Sequence, residues 1–385
     1  MRISSILAVV CLAAAFPAAS QTAIHREGRW WVRTVSGSEA LATVARLQVS
    51  LRGDVYVTSG PNPELSWVLK TRTTARTEAE ARRLLDAFAV KFSTAGSGGR
   101  ALLFVHSGRG EAGLKLTVPA TVRELSIGTG EGNVEALGVA GEITLATGAG
   151  DVKADRVRGN LTARTGGGDI VMGEIGGMAR CSTSAGDITA RLIHGEAVLE
   201  TGGGDVTVDA VGGPARASTV GGKVQIIRAG SGVIASTGGG PIEIGEARGL
   251  VELRNSGGPV HVGSAHGVRC ETASGAIRLT NVSGVLRAST FIGSIIAQLH
   301  GAGATGDSFL TTGRGDITVF IPSNVGVKIR AENELSGGIR RIISEFPGIQ
   351  ARVHGAQVVA EGDINGGGPL LRISGTGGTI FIKRQ

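Results

Sequence analysis

Between Leu125 and about Ile321 one pattern of apolar and polar positions recurs along the chain. Its clearest phrase reads Thr147-Gly-Ala-Gly-Asp-Val, then Thr165-Gly-Gly-Gly-Asp-Ile, Thr183-Ser-Ala-Gly-Asp-Ile and Thr201-Gly-Gly-Gly-Asp-Val. The last glycine falls at Gly132, Gly150, Gly168, Gly186, Gly204, Gly222, Gly240 and Gly258, a spacing of 18. One residue is lost before Gly275, the period resumes at Gly293, and four residues are gained before Gly315. A fixed period of this length marks an array in which each unit stacks only on its neighbours.

Aligned on the threonine, the apolar residues form columns. Four before it stand Ile143, Leu161, Ala179 and Ala197; two before it stand Leu145, Ala163, Cys181 and Leu199. Five after it every residue is β-branched, from Val152, Ile170, Ile188 and Val206 to Ile317. Seven after it come Ala154, Met172, Ala190 and Val208, and ten after it Val157, Ile175, Ile193 and Val211. Alternation on both sides of a glycine turn predicts two short strands per unit, each with one face inward, and a further bend. A helix would need a period of 3.6 and far fewer glycines. Identical units in identical register pair most simply in parallel, about 4.8 Å apart. The expectation is therefore an all-β, parallel β-solenoid with 18-residue coils, right-handed as parallel crossovers are.

The flanks lack the period. Met1 to Ser20 reads as a secretory signal: Arg2, a short apolar run from Ile6 to Phe16, and Ala18-Ala19-Ser20 for cleavage before Gln21. The run is too short to span a membrane, and Val9-Val10 before Cys11 does not supply the small residue a lipoprotein cleavage site needs, so no lipid anchor is expected. The chain is thus expected to be extracytoplasmic, periplasmic or secreted, without a transmembrane span. Residues 21–120 read as a small α+β N-terminal cap. Arg46 to Tyr56, Ser66 to Lys70, Leu102 to Val105 and Leu114 to Val118 alternate as strands. Thr77-Glu-Ala-Glu80 opens a helix through about Phe92, with Ala81, Leu84, Leu85 and Phe88 on one face. The regular solenoid spans 121–322. Residues 323–370 are excursions from late coils, and 371–385 form the last coil. Both flanks cover the open sheet edges of the array.

The residues that punctuate this layout are Leu116-Thr-Val-Pro119, Leu125-Ser-Ile, the Thr-Gly-x-Gly-Asp-Ile phrases, Ile317-Thr-Val-Phe-Ile-Pro322 and Gly375-Thr-Gly-Gly-Thr-Ile-Phe-Ile382. In them the chain resembles the bacterial "putative adhesin" family of extracytoplasmic β-solenoid proteins, over most of its length after about residue 45. The resemblance implies the fold, and it supplies no catalytic residues.

Composition adds little chemistry. The net charge of +7 comes from Lys and Arg scattered among Asp and Glu, whereas nucleic-acid binding needs clustered cations and aromatic partners; no nucleic acid is expected. The sharpest column is Asp151, Asp169, Asp187 and Asp205, ended by Lys223. Carboxylates stacked one coil apart repel by roughly 1 kcal/mol even in water. They either bind Ca²⁺ or a cationic polymer or accept hydrogen bonds from turn amides; the second reading is adopted, with no metal and no cofactor. The threonine column, Thr129 to Thr237, reads as a hydrogen-bonded ladder beside the turn and not as an ice-binding array. Arg314-Gly315-Asp316 is the repeat phrase with arginine in its variable place. Cys181 and Cys270 share an inward column too far apart for a disulfide. His194, His266 and His300 make no zinc cluster. Trp30-Trp31 closes a small core or offers a binding platform, the former being adopted. Acids and arginines outside the array (Glu332, Arg340, Arg341, Glu345) are the only place for catalysis, and nothing supports it.

The sequence therefore points to a non-enzymatic structural or adhesin-like element of the cell envelope with an unidentified envelope or surface partner. The competing reading is a solenoid enzyme or lectin acting on an anionic envelope polysaccharide, against which the aromatic-free faces of the array count.

Overall fold

The computed structural model describes residues 20–21, 23–41, 45–95, 99–106, 108–301, 306–334 and 342–385. The signal-like segment up to Ala19, and Arg340 and Arg341, lie outside the described residues. Strand Leu161–Thr165 pairs in parallel with Ala179–Thr183, and that strand with Ala197–Thr201. Strand Ile170–Ile175 pairs likewise with Ile188–Ile193, and then with Val206–Val211. Each register step equals the sequence period, so one repeat is one coil of a parallel β-solenoid. The inward columns form its core: Leu161, Ala163, Ile170, Met172 and Ile175 are all 2% exposed or less. Val157 and Ile175 bridge in parallel, which places the third apolar column at the further bend.

Close stacking of coils explains the invariant phase of the glycine. At Gly168 a Cβ would run into the carbonyl of Gly150 one coil below. Its backbone angle is not left-handed, so at this position the requirement is room between coils; at Gly132, Gly275, Gly293 and Gly315 a positive φ adds to it.

The ladder extends past the periodic stretch at both ends, and out of chain order. Strand Glu124–Thr129 pairs in parallel with Arg46–Leu51, which pairs in turn with Arg100–His106. Val134–Leu137 pairs with Asp54–Gly60, and that strand with Glu111–Pro119. Residues 46–60, assigned above to the cap, are thus a coil of the array, and 100–119 form the coil beyond it. The other end mirrors this. Leu370–Gly375 and Ile380–Arg384 stack on Ser308–Arg314 and Ile317–Ile321. Val327–Glu334 and Ile342–Ser344 then stack on the far side of that coil. The final coil in sequence is therefore the penultimate one in space. Outside it, Gln357–Ile364 and Gln350–His354 continue one sheet in antiparallel fashion.

The N-terminal end is closed by antiparallel strands and one helix. Trp30–Ala40 pairs with Glu64–Thr73, which pairs with Glu111–Pro119. The helix runs Glu78–Asp86, capped by the Thr77 hydroxyl, which accepts from the Glu80 amide. It ends before Phe92, because Ala89–Ala95 alternates and pairs antiparallel with Arg100–His106. Ala81 and Leu85 are buried, with Phe88 just beyond the helix end. Buried Arg33 fastens the helix C-terminus: its guanidinium donates to Asp86 Oδ1 at 2.6 Å and to the Leu85 and Phe88 carbonyls. A cation at that end also complements the helix dipole. Trp67 lies in the core, while Trp30 and Trp31 stay half-buried, flanked by Arg26, Arg29 and Arg72.

Candidate binding face

The aspartate column is spent on the backbone. Asp151 Oδ1 accepts the amide of Asp169 at 2.9 Å, Asp169 Oδ1 that of Asp187 at 2.8 Å, and Asp187 Oδ1 that of Asp205 at 2.8 Å. Asp205 closes the run on the Lys223 amide at 2.7 Å. The donor is a turn amide, that of the equivalent residue of the next coil. Asp54 and Asn133 extend the chain downward. Asp316 Oδ1 accepts from the Thr379 amide at 2.8 Å. The tripeptide Arg314-Gly315-Asp316 is thus a structural turn, and Arg52-Gly53-Asp54 is its counterpart at the other end. Among the described residues no group of three or more His, Cys, Asp or Glu converges on one point.

The threonine column faces inward. Thr147, Thr165, Thr183 and Thr201 are buried, and each hydroxyl donates to the glycine carbonyl of the coil below at 2.7–2.9 Å. Each also accepts an amide of its own turn, as Thr165 does from Gly168. Asn255 does both jobs with its carboxamide. No hydroxyl array faces solvent there. Cys181 and Cys270 are buried free thiols, which burial pushes up to about 12. His194 joins Arg191 on Glu174 at 3.1 and 3.4 Å, and these contacts, the histidine first, hold that carboxyl below its usual range. His266 meets Ser283 instead. Glu345 accepts the Arg384 amide.

What the sequence did not disclose is a row on the outer face of the late coils. Register places Arg269 beside Arg287, Arg287 beside Phe309, Phe309 beside Arg372, and Arg372 beside Arg330. All five side chains are exposed. The adjacent outward column carries Glu271, Ser289, Thr311, Ser374 and Glu332 in the same order. Glu271 pairs with Arg269 at 3.3 Å. Glu332 takes Arg330 at 2.6 Å and Arg372 at 3.1 Å; these bonds, Arg330's first, hold its carboxyl below the usual range. Arg330 also meets Glu361. Arg287 has no carboxylate partner among the described residues, and its guanidinium lies 5.7 Å from the centre of the Phe309 ring. Phe291, one of the most exposed apolar side chains at 67%, lies near the end of the strand that carries Arg287. Arginines scattered in sequence are therefore collected in space, and this end of the face is not free of aromatics. The only forewarning was the shared phase of Arg269, Arg287 and Phe309, each three residues before its threonine.

No family model matches the chain, and no curated relative matches it. Among solved structures it is similar to a putative cell adhesion protein from Clostridium sporogenes, at 10% identity and TM-score 0.18, covering 92% of this chain and 100% of that one. It is similar to a putative adhesin from Bacteroides fragilis at 11% identity and TM-score 0.22, covering 91% and 97%. A putative lipid binding protein from Parabacteroides distasonis matches at 14% identity and TM-score 0.31, covering 70% and 94%. At such scores the surface of this molecule itself must carry any functional argument. Among the described residues no helix is long and apolar enough to cross a membrane.

Proposed function

We propose that the chain is a non-catalytic, exported β-solenoid acting as an adhesin-like or structural element of the cell envelope. One observation carries this reading: the residues whose spacing could have meant chemistry are engaged in holding coil to coil. Asp151, Asp169, Asp187 and Asp205 each accept a backbone amide from the next coil, and the threonine column is buried in the same work. What such a molecule offers to the outside is a rigid stack of strands with two long faces, suited to contact along its length. Export to the periplasm or the medium belongs to this proposal and rests on the segment Met1 to Ser20. A lectin-like variant of the role is favoured by the exposed Arg287–Phe309 pair.

The test is to incubate the purified protein with envelope fractions and follow both its retention and the release of reducing sugar ends. Saturable retention without release is expected. Turnover of an envelope polymer, or no retention at all, would refute the proposal.

A further inference from the structure

We infer that the outer face of the late coils binds a linear acidic polysaccharide carrying its carboxylates on alternate sugars; this rests on the binding role proposed above and supplies its ligand. Five neighbouring strands set Arg269, Arg287, Phe309, Arg372 and Arg330 in one row. Strands in a sheet are about 4.8 Å apart, so Arg287 and Arg372 stand about 9.6 Å from each other with Phe309 between them.

Each member of the row has a chemical task. A guanidinium grips a carboxylate with two parallel N–H donors. Among the described residues Arg287 is the one without a carboxylate partner, since Arg269, Arg372 and Arg330 already hold Glu271 or Glu332. The exposed Phe309 ring gives the C–H face of a sugar an apolar surface to lie on. Hydroxyls of Ser289, Thr311 and Ser374 run alongside in the next column, able to donate to or accept from sugar hydroxyls. Between Arg269, Arg287 and Phe309 the surface sinks into an open depression of about 380 Å³.

The charge balance selects among polyanions. Three arginines of the row meet Glu271, Glu332 and Glu361, which leaves Arg287 alone without a carboxylate among the described residues. A polymer with a charge on every unit, such as nucleic acid or a heavily sulfated glycan, would meet those carboxylates as often as the Arg287 guanidinium. Binding of that kind needs many uncompensated cations, and single strands also use several stacking rings. A sparsely charged chain puts its neutral sugar on Phe309 and its carboxylate on Arg287.

The full chain is titrated with hyaluronan oligosaccharides, whose sugars alternate between a uronic acid and a neutral amino sugar, and in parallel with dextran, heparin and oligothymidylate. Hyaluronan is expected to bind most tightly, with dextran inert. Loss of the charged fork in Arg287→Gln, or of the ring in Phe309→Ala, should each weaken binding about tenfold or more. Arg216→Gln, in the same outward column of a middle coil, should change nothing. All three positions are exposed, and unchanged circular dichroism and melting would show that the variants fold. Tighter binding of heparin or oligothymidylate, equal binding of dextran, or indifference to Arg287→Gln would each overturn the inference. If hyaluronan fails while retention on envelope fractions persists, this ligand is wrong and the proposed role stands; loss of both removes the role as well.

Discussion

Phe309 and Arg372 are direct neighbours in the parallel ladder although 63 positions separate them in the chain. The last coil in sequence has been inserted between the coil ending at Ile321 and the one that begins at Val327. Its turn is fastened on both sides: the Thr379 amide donates to Asp316, and Asn333 donates to the Gly378 carbonyl at 2.7 Å.

Removing residues 370–385 should therefore do more than trim an end. It strips the edge of Ile317–Ile321 and leaves Val327–Glu334 without its parallel partner. In an array ordered along the chain, the same cut would cost one terminal coil and one interface. Limited proteolysis of the truncated protein should show early cleavage throughout 323–369, together with a lower apparent melting temperature. An intact 323–369 segment and unchanged melting would refute the inserted arrangement.

The aspartate ladder predicts substitutions of opposite sign at one position. Asp169→Ala deletes the acceptor of the Asp187 amide and should cost about 0.5–1.5 kcal/mol. Asp169→Asn keeps an oxygen acceptor and removes a charge between Asp151 and Asp187. Asn133 already fills this column and accepts the Asp151 amide at 2.8 Å. At low salt the Asn variant should gain up to about 1 kcal/mol, a gain that fades as salt screens the repulsion. Urea unfolding in both salts checks the signs. Elemental analysis checks the same account: stoichiometric calcium, lost with stability on chelation, would overturn it.

Much of this was legible because in-register parallel stacking converts sequence period into spatial order one to one. Ile170, Ile188 and Val206 form a column in the core because they form a column in the text. The inward threonine was legible too: it shares the parity of Leu145 and Ile143, both buried, and its place beside a turn concealed this. The end coils were harder. Arg52-Gly53-Asp54-Val55 repeats the turn phrase, yet its pairing with Asn133 and Val134 depends on chain that leaves the array and returns. The arginine row was illegible for the same reason, since Arg372 and Arg330 reach their places only through the inserted coil.

Two ways of weakening the core should differ in mechanism. Ile188→Ala removes fully buried methyl groups between two coils and should cost about 2–5 kcal/mol. Thr201→Val keeps the shape but leaves the Gly186 carbonyl and the Gly204 amide without their partner, at about 1–3 kcal/mol. The exposed Thr189→Ala should cost less than about 1 kcal/mol. Chemical denaturation that ranked Thr189→Ala with the other two would mean the faces are assigned wrongly.

The buried thiols predict an alkaline instability. Burial pushes Cys181 up to about 12, while in the unfolded chain it ionises at about 8.5. Its raised value in the folded state contributes stability that is whole below about 8.5 and lost as pH rises towards about 12. Within that window stability should fall by up to about 1.4 kcal/mol per pH unit for this thiol. Cys181→Ala abolishes that share of the slope, so the two proteins should diverge in urea midpoint above pH 9 and run parallel below it. Alkylation mapped by mass spectrometry should likewise find Cys181 and Cys270 protected until unfolding. A pH slope identical in both proteins would refute the assignment.

The smallest deletion the array tolerates should be one whole coil. Removing residues 187–204 joins Gly186 to Asp205, and the ladder can be rebuilt bond by bond. The Asp205 amide then meets Asp169 in place of Asp187, which now receives it at 2.8 Å. The Thr219 hydroxyl meets the Gly186 carbonyl in place of that of Gly204. Ala215 comes to lie on Ala179 instead of Ala197, alanine on alanine. The loss is about one coil and one interface, and both interlocked ends remain. Removing only residues 187–195 sets strand positions against turn positions, where the stack has no room for a Cβ at Gly168 or Gly186. It also swings apolar side chains outward. The 18-residue deletion should therefore yield soluble, β-rich protein with a somewhat lower melting temperature, and the nine-residue deletion should aggregate. Circular dichroism and size-exclusion chromatography of the two variants decide it, and equal behaviour would mean that the coil is not the folding unit.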